Sequence, residues 1–225
     1  MLSVTTSQAT FQSGSKPIRL DVYLPQTDGA DRLPAVIALY GSGGGVDGMG
    51  GPASMLAAQG FAVFVPHYFD RTNMTEAKDK ATMVANFPAW GKTVWDSISH
   101  IEKDPCVDPK RIGLLGFSLG AYLALSVACV DSRVRAVVEF FGGLPKEMKF
   151  FMRRLCPTLI LHGKADAVVP VQEAYDLQKL LEKKNTPYEI KIYPDVGHGF
   201  EDSVWRDAGL RSLQFLQKHL ASSGT

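Results

Sequence analysis

Ser118, Asp166 and His198 are the residues of this chain whose types, order and settings could do chemistry together. A serine hydroxyl is a weak nucleophile until a base takes its proton. An imidazole serves as that base when a carboxylate holds its tautomer. Ser118 lies in Gly116-Phe117-Ser118-Leu119-Gly120, between the strand-like run Arg111-Ile112-Gly113-Leu114-Leu115 and the helix-like run 121–128. A serine in G-x-S-x-G between strand and helix is the sequence form of a nucleophile elbow, whose turn lifts the hydroxyl above a sheet edge. The same turn aims the N–H of Leu119 at the place where an oxyanion would form. The base and acid are expected downstream, in the order serine, acid, histidine. Asp166 follows the apolar run 156–163, and His198 follows the alternating run 188–193, with Gly197 and Gly199 on either side. Asp195 competes for the acid role, but it shares a short loop with His198, and an orienting group is better supplied from a neighbouring strand end. His67 and His162 read as structural residues near strand ends, and His100 and His219 as helical surface residues.

A second oxyanion donor is expected from the loop after an earlier strand. The run 34–39 is such a strand, and Tyr40-Gly41-Ser42-Gly43-Gly44-Gly45 follows it. Ser42 is the preferred donor, with Gly43 as the alternative. Residues 43–48 also satisfy G-x-G-x-x-G, with Asp70 some twenty residues on. In a dinucleotide loop, however, the helix opens inside the motif. Here Met49-Gly50-Gly51-Pro52 intervenes, and Pro52 reads as the start of a delayed helix.

The elements that must position these loops alternate in type. An opening hairpin is expected (9–12 with 18–24), then strands near 34–39, 61–65, 111–115, 134–140, 158–161 and 189–193. Helices are expected near 53–58, 121–128 and 171–184, with a last one ending near 220. The stretch 76–103 reads as helical but broken around Pro88. Strands alternating with helices give an α/β fold, a mostly parallel doubly wound sheet with an N-terminal antiparallel hairpin. No repeat or linker divides the chain, so residues 1–225 are expected to form a single domain.

Composition narrows the partners. A net charge of +1 points neither to nucleic acid nor to an anionic membrane. Three cysteines without paired spacing suggest reduced thiols, not disulfides or a metal site. No secretory segment opens the sequence and no apolar run approaches a membrane span, so a cytoplasmic address is expected.

From the hairpin to the last helix the chain resembles an α/β-hydrolase, and within that fold the dienelactone hydrolase family. The residues that carry the likeness are 57–66, 111–120, Phe141-Gly142-Gly143, 162–166 and 197–200. The resemblance implies a small monomeric or dimeric, cofactor-free hydrolase of esters or lactones working through an acyl-enzyme. The chain departs from the founding members in several places. Ser118 replaces their cysteine, and Gly41 stands where they carry an acid. Arg71 falls one residue out of register with one carboxylate-binding arginine, and Asp202 occupies the place of another. Tyr40, Arg71, Trp90 and Phe200 are the candidate substrate-binding residues, with Phe69, Phe117 and Phe141 near them. Residues 150–154 read either as a small lid or as a turn of surface helix. Two other classes share this motif order: a peptidase of the prolyl-oligopeptidase type, and a binding module built on a hydrolase fold.

Overall fold

The strands rich in Val, Ile, Leu and Phe form one eight-stranded sheet in a computed structural model that describes residues 1–27, 29 and 31–221. β1 (Val4–Ser13) and β2 (Lys16–Pro25) are the expected hairpin, and β2 runs antiparallel to β4 (Ala62–Pro66). The other strands are parallel: β3 (Leu33–Leu39), β5 (Val107–Phe117), β6 (Val134–Phe140), β7 (Thr158–Gly163) and β8 (Tyr188–Tyr193). The order β1-β2-β4-β3-β5-β6-β7-β8 has a consequence for function. The chain leaves β3 toward β4 on one side and returns as β5 on the other, so the loops after β3 and β5 diverge and open a crevice. Open α/β sheets bind ligands at such a switch point.

Helices cover both faces. α1 (Gly50–Ala57) and α6 (Asp202–His219) lie on the face shown by Gly113 and Leu115 of β5; α2 (Lys80–Ile101) and α3 (Leu119–Ala128) cover the other face. The gap over Gly113 is filled by Leu216 of α6 and Leu220 just past its end, and that over Gly116 by the first turn of α3. α4 (Met148–Phe151) is short, and α5 (Gln172–Lys183) connects β7 to β8.

Two expectations about helices need correction. α2 starts at Lys80, capped by the Asp79 carboxylate accepting the Thr82 N–H at 2.8 Å, and it runs unbroken through Pro88. Pro88 lies on the exposed side, where water can solvate the Val84 carbonyl left without its donor. On the other side Trp90, Val94, Ile98 and Ile101 are fully buried and hold the helix down. α1 begins at Gly50 after a 3-10 turn at Val46–Met49, so Pro52 stands in the first turn, where a missing N–H costs nothing.

Candidate active site

Ser118 is held in a backbone conformation that an L-residue rarely adopts, φ 52° and ψ −117°. Strain of this kind costs about 1–3 kcal/mol and persists only where the surroundings over-determine it. Here the Ser118 N–H donates to the Phe140 carbonyl at 2.9 Å, and the Ser118 carbonyl accepts from the N–H groups of Ala121 and Tyr122. The flanking glycines are there for closeness. A Cβ on Gly116 would sit 2.4 Å from the Gly120 carbonyl oxygen, and one on Gly120 would sit 2.3 Å from that of Leu39. α3 can therefore start directly over β5 and β3 only with glycine at both places.

His198 Nε2 lies 3.1 Å from Ser118 Oγ, and His198 Nδ1 lies 2.8 Å from Asp166 Oδ2. The carboxylate has no donor to offer, so Nδ1 carries the ring proton and the bare Nε2 faces the serine. Asp166 is itself anchored: its Oδ1 accepts the N–H groups of Val168 and Val169, both at 2.8 Å, and its side chain is fully buried. The loop bearing His198 is stitched to the Asp166 turn by the Ala165 N–H donating to the Val196 carbonyl. It can lie that close because Gly163 has no side chain; a Cβ there would meet Val196 O at 2.2 Å. Phe141 packs against the imidazole edge to face, 4.8 Å between centroids. His162 stiffens the same turn, with its Nε2–H donating to the Val169 carbonyl at 2.9 Å. Burial lowers the His162 pKa, which keeps that ring neutral. Asp195 is exposed, and among the described residues it makes no hydrogen bond to His198.

A cavity of about 930 Å³ opens from Ser118 and His198. Tyr40, Ser42, Phe117 and Phe141 are among the residues that line it. The Tyr40 ring is stacked on Tyr68 with 4.4 Å between centroids, and its hydroxyl accepts the Phe69 N–H. The N–H groups of Leu119 and Ser42 donate to nothing among the described residues. Three expected substrate-binding residues are elsewhere. Arg71 follows β4, outboard of the crevice, and its guanidinium donates to the Ser13 carbonyl beneath the hairpin turn. Trp90 is core on the opposite sheet face, where its Nε1–H donates to Thr72 Oγ1. Phe200 is buried behind the wall against Phe140, Phe141 and Trp205. The lid reading of residues 150–154 also fails. Phe150 and Phe151 are 90% and 65% exposed, and the Arg153 and Arg154 N–H groups tie the segment to Cys129, at the far end of α3. Sequence reading missed the remaining walls, which come from α1 (Pro52, Met55, Leu56) and α6 (Trp205, Gly209, Leu213). Their helical spacing was visible, but it is also the spacing of ordinary core residues.

The sequence profile of the dienelactone hydrolase family matches residues 20–208. The chain belongs to the dienelactone hydrolase family. A carboxymethylenebutenolidase homolog of Xenopus tropicalis is 24% identical over 177 residues, 74% of this chain and 69% of the frog protein. Acyl-coenzyme A thioesterase 5 of Mus musculus is 32% identical over 214 residues, 88% of this chain and 48% of the mouse protein. The chain thus spans about half the length of the mouse relative. A dienelactone hydrolase-like promiscuous phosphotriesterase from metagenomic libraries superposes with a TM-score of 0.82 at 15% identity, over 97% of this chain and 99% of that one. At that identity the likeness is one of fold.

In this dienelactone hydrolase family member burial pushes the Cys129 thiol up to about 12 and the Cys156 thiol up to about 11. Among the described residues no His, Cys, Asp or Glu cluster has the arrangement of a metal site, and no helix is long and apolar enough to cross a membrane.

One buried acid was not singled out from the sequence. Glu139 of β6 is fully buried behind the elbow; its Oε2 accepts the Gly142 N–H at 2.8 Å, while Oε1 has no partner among the described residues. Burial pushes this carboxyl up to about 8, against a smaller opposite pull from the Gly142 N–H. Between its ordinary value and the folded one, the unfolded chain has lost the proton that the folded chain keeps. Its contribution to stability is therefore full below the ordinary value, and it is lost as pH rises through the folded value. Glu139→Gln removes that loss. The variant is expected to gain on wild type as pH rises, because each tenfold change in proton affinity is worth about 1.4 kcal/mol. The gain should reach roughly 2–4 kcal/mol in urea unfolding near pH 9. A difference that does not change with pH would refute this account.

Proposed function

We propose that the protein is a serine hydrolase of carboxylic esters, with Ser118 as nucleophile, His198 as general base and acid, and Asp166 as the group orienting the imidazole. The observation that carries this reading is the unbroken line from Ser118 Oγ to His198 Nε2 at 3.1 Å and from His198 Nδ1 to Asp166 Oδ2 at 2.8 Å. As Ser118 Oγ bonds to the acyl carbon, its proton passes to Nε2. The carbonyl becomes an oxyanion facing the N–H groups of Leu119 and Ser42. Collapse breaks the bond to the leaving group, which takes the proton from Nε2. Water then repeats the sequence: it gives a proton to His198, its oxygen bonds to the acyl carbon, and Ser118 leaves with that proton. Preorganised donors of this kind are worth about 3–4 kcal/mol of barrier each.

The same steps serve a lactone or a thioester, and the mouse relative is named for a thioesterase activity. A carboxylate-bearing lactone has less support. Arg71 is engaged at Ser13, and Asp202 stands exposed at the start of α6. The peptidase reading has no observation of its own. The binding-module reading is weakened by the hydrogen-bonding geometry of all three residues. A fluorophosphonate is expected to label the protein with one equivalent, carried by the peptide containing Ser118. Absence of labelling, or labelling on another peptide, would overturn the proposal.

A further inference from the structure

The cavity does not end at the reacting atoms. α1 and α6 lie along the same face of the sheet; α6 closes over Gly113 of β5, but nearer the catalytic edge a gap remains between the helices, lined by Leu115 and Phe117. Each helix turns one face to this gap. From the α1 side come Pro52, Leu56 and Gln59, spaced three to four apart; from α6 come Trp205, Gly209 and Leu213, spaced four apart. Each helix is anchored away from the groove: α1 by Ala53 and Ala57, α6 by Phe215 and Leu216. At the outer side Met55 and Leu210, also lining residues, remain 63% and 54% exposed. Arg206, exposed on α6, is the only charged side chain among the described lining residues.

We infer that the groove between α1 and α6 is an acyl-chain site, and that the enzyme prefers medium-chain acyl groups over acetyl. This deepens the serine-hydrolase reading and rests on it. Ser118 and His198 stand at the head of the same cavity, so an acyl group joined to Ser118 Oγ has its chain directed into the groove. The volume of about 930 Å³ far exceeds what a short acyl group fills. From Gly50 to Ala57 α1 runs about 11 Å. At about 1.25 Å per methylene, from the C–C length and bond angle, an extended chain lying along it spans about eight carbons. A wall of Met, Leu and Trp with so few polar groups suits hydrocarbon.

The test is a series of p-nitrophenyl esters. Fully burying one methylene is worth about fourfold. Over the six methylenes that separate acetate from octanoate, kcat/KM is therefore expected to rise at least tenfold even in a half-open groove. Gly209→Phe is expected to lower the octanoate-to-acetate ratio at least tenfold. A Cβ at Gly209 meets nothing within 4 Å, so the ring enters the groove without disturbing the helix. A rise smaller than tenfold, with acetate turned over, overturns the acyl-chain site and leaves the serine hydrolase standing. No turnover of any ester, with no phosphonate label, removes the serine-hydrolase reading instead. The groove is then tested by calorimetric titration of Ser118→Ala protein with decanoate. One saturable site, lost on adding Gly209→Phe, is the expected result, and no binding overturns it. A flat ester series from a dimer that Met55→Asp dissociates would make the groove an interface between copies, which also overturns it.

Discussion

Asn in place of Asp166 is expected to lower kcat by about ten-thousandfold while the fold remains. The expectation follows from how the carboxylate is held. Oδ1 accepts two backbone N–H groups, from Val168 and Val169. The amide oxygen of an asparagine must take that place, because an NH₂ group there would face two donors. Its NH₂ then points at His198 Nδ1 and donates to it. The ring proton moves to Nε2, and an N–H confronts the Ser118 hydroxyl in place of a lone pair. The base is lost although every heavy atom keeps its position. Steady-state turnover of a p-nitrophenyl ester, with the melting temperature as a control on folding, measures the effect. Asp195→Asn is expected to stay within about threefold of wild type, since surface changes away from the chemistry have small effects. The reverse pattern would reassign the acid to Asp195.

Ser118→Ala is expected to lower kcat by about 10⁵–10⁶-fold and to abolish phosphonate labelling. Removing the hydroxyl leaves the strain in place, because alanine at φ 52° carries the same Cβ. Ser118→Gly removes it. The glycine variant is therefore expected to be equally inactive, yet more stable than the alanine variant by about 1–2 kcal/mol in chemical denaturation. Equal stability of the two would show that the elbow geometry costs nothing. Residual activity of either variant near that of wild type would dismiss Ser118 as nucleophile.

Parts of this site are legible in the sequence. The elbow can be read because its chemistry is local: Gly116 and Gly120 face backbone at distances only hydrogen can occupy, so the pentapeptide announces the turn. Asp166 and His198 can be read because each closes an apolar run and carries turn glycines nearby. The order of elements, the opening hairpin and the parallel sheet follow from the same alternation. Pro88 misleads because a proline breaks a helix only where the missing hydrogen bond cannot be replaced, and exposure of that turn is a tertiary property.

The pocket is the part that cannot be read. Tyr40, Arg71 and Phe200 follow strands in the sequence and Trp90 lies in the helical stretch 76–103, and all four side chains turn out to serve packing or a structural hydrogen bond. Strand ends fix a height in the sheet, but a pocket also needs a face and a lateral position. For Arg71, β4 lies outboard of β3, so the loop after it reaches the hairpin and not the crevice. For Trp90, α2 lies on the face opposite α1 and α6. The groove lies between two helices distant in sequence, with Leu115 among its lining residues. Backbone sterics within a few residues determined the turn and the order of the reactive groups, because such constraints act wherever those residues occur. The face, the neighbours and the gap depended on contacts between different elements of the chain, and only the folded chain decides those.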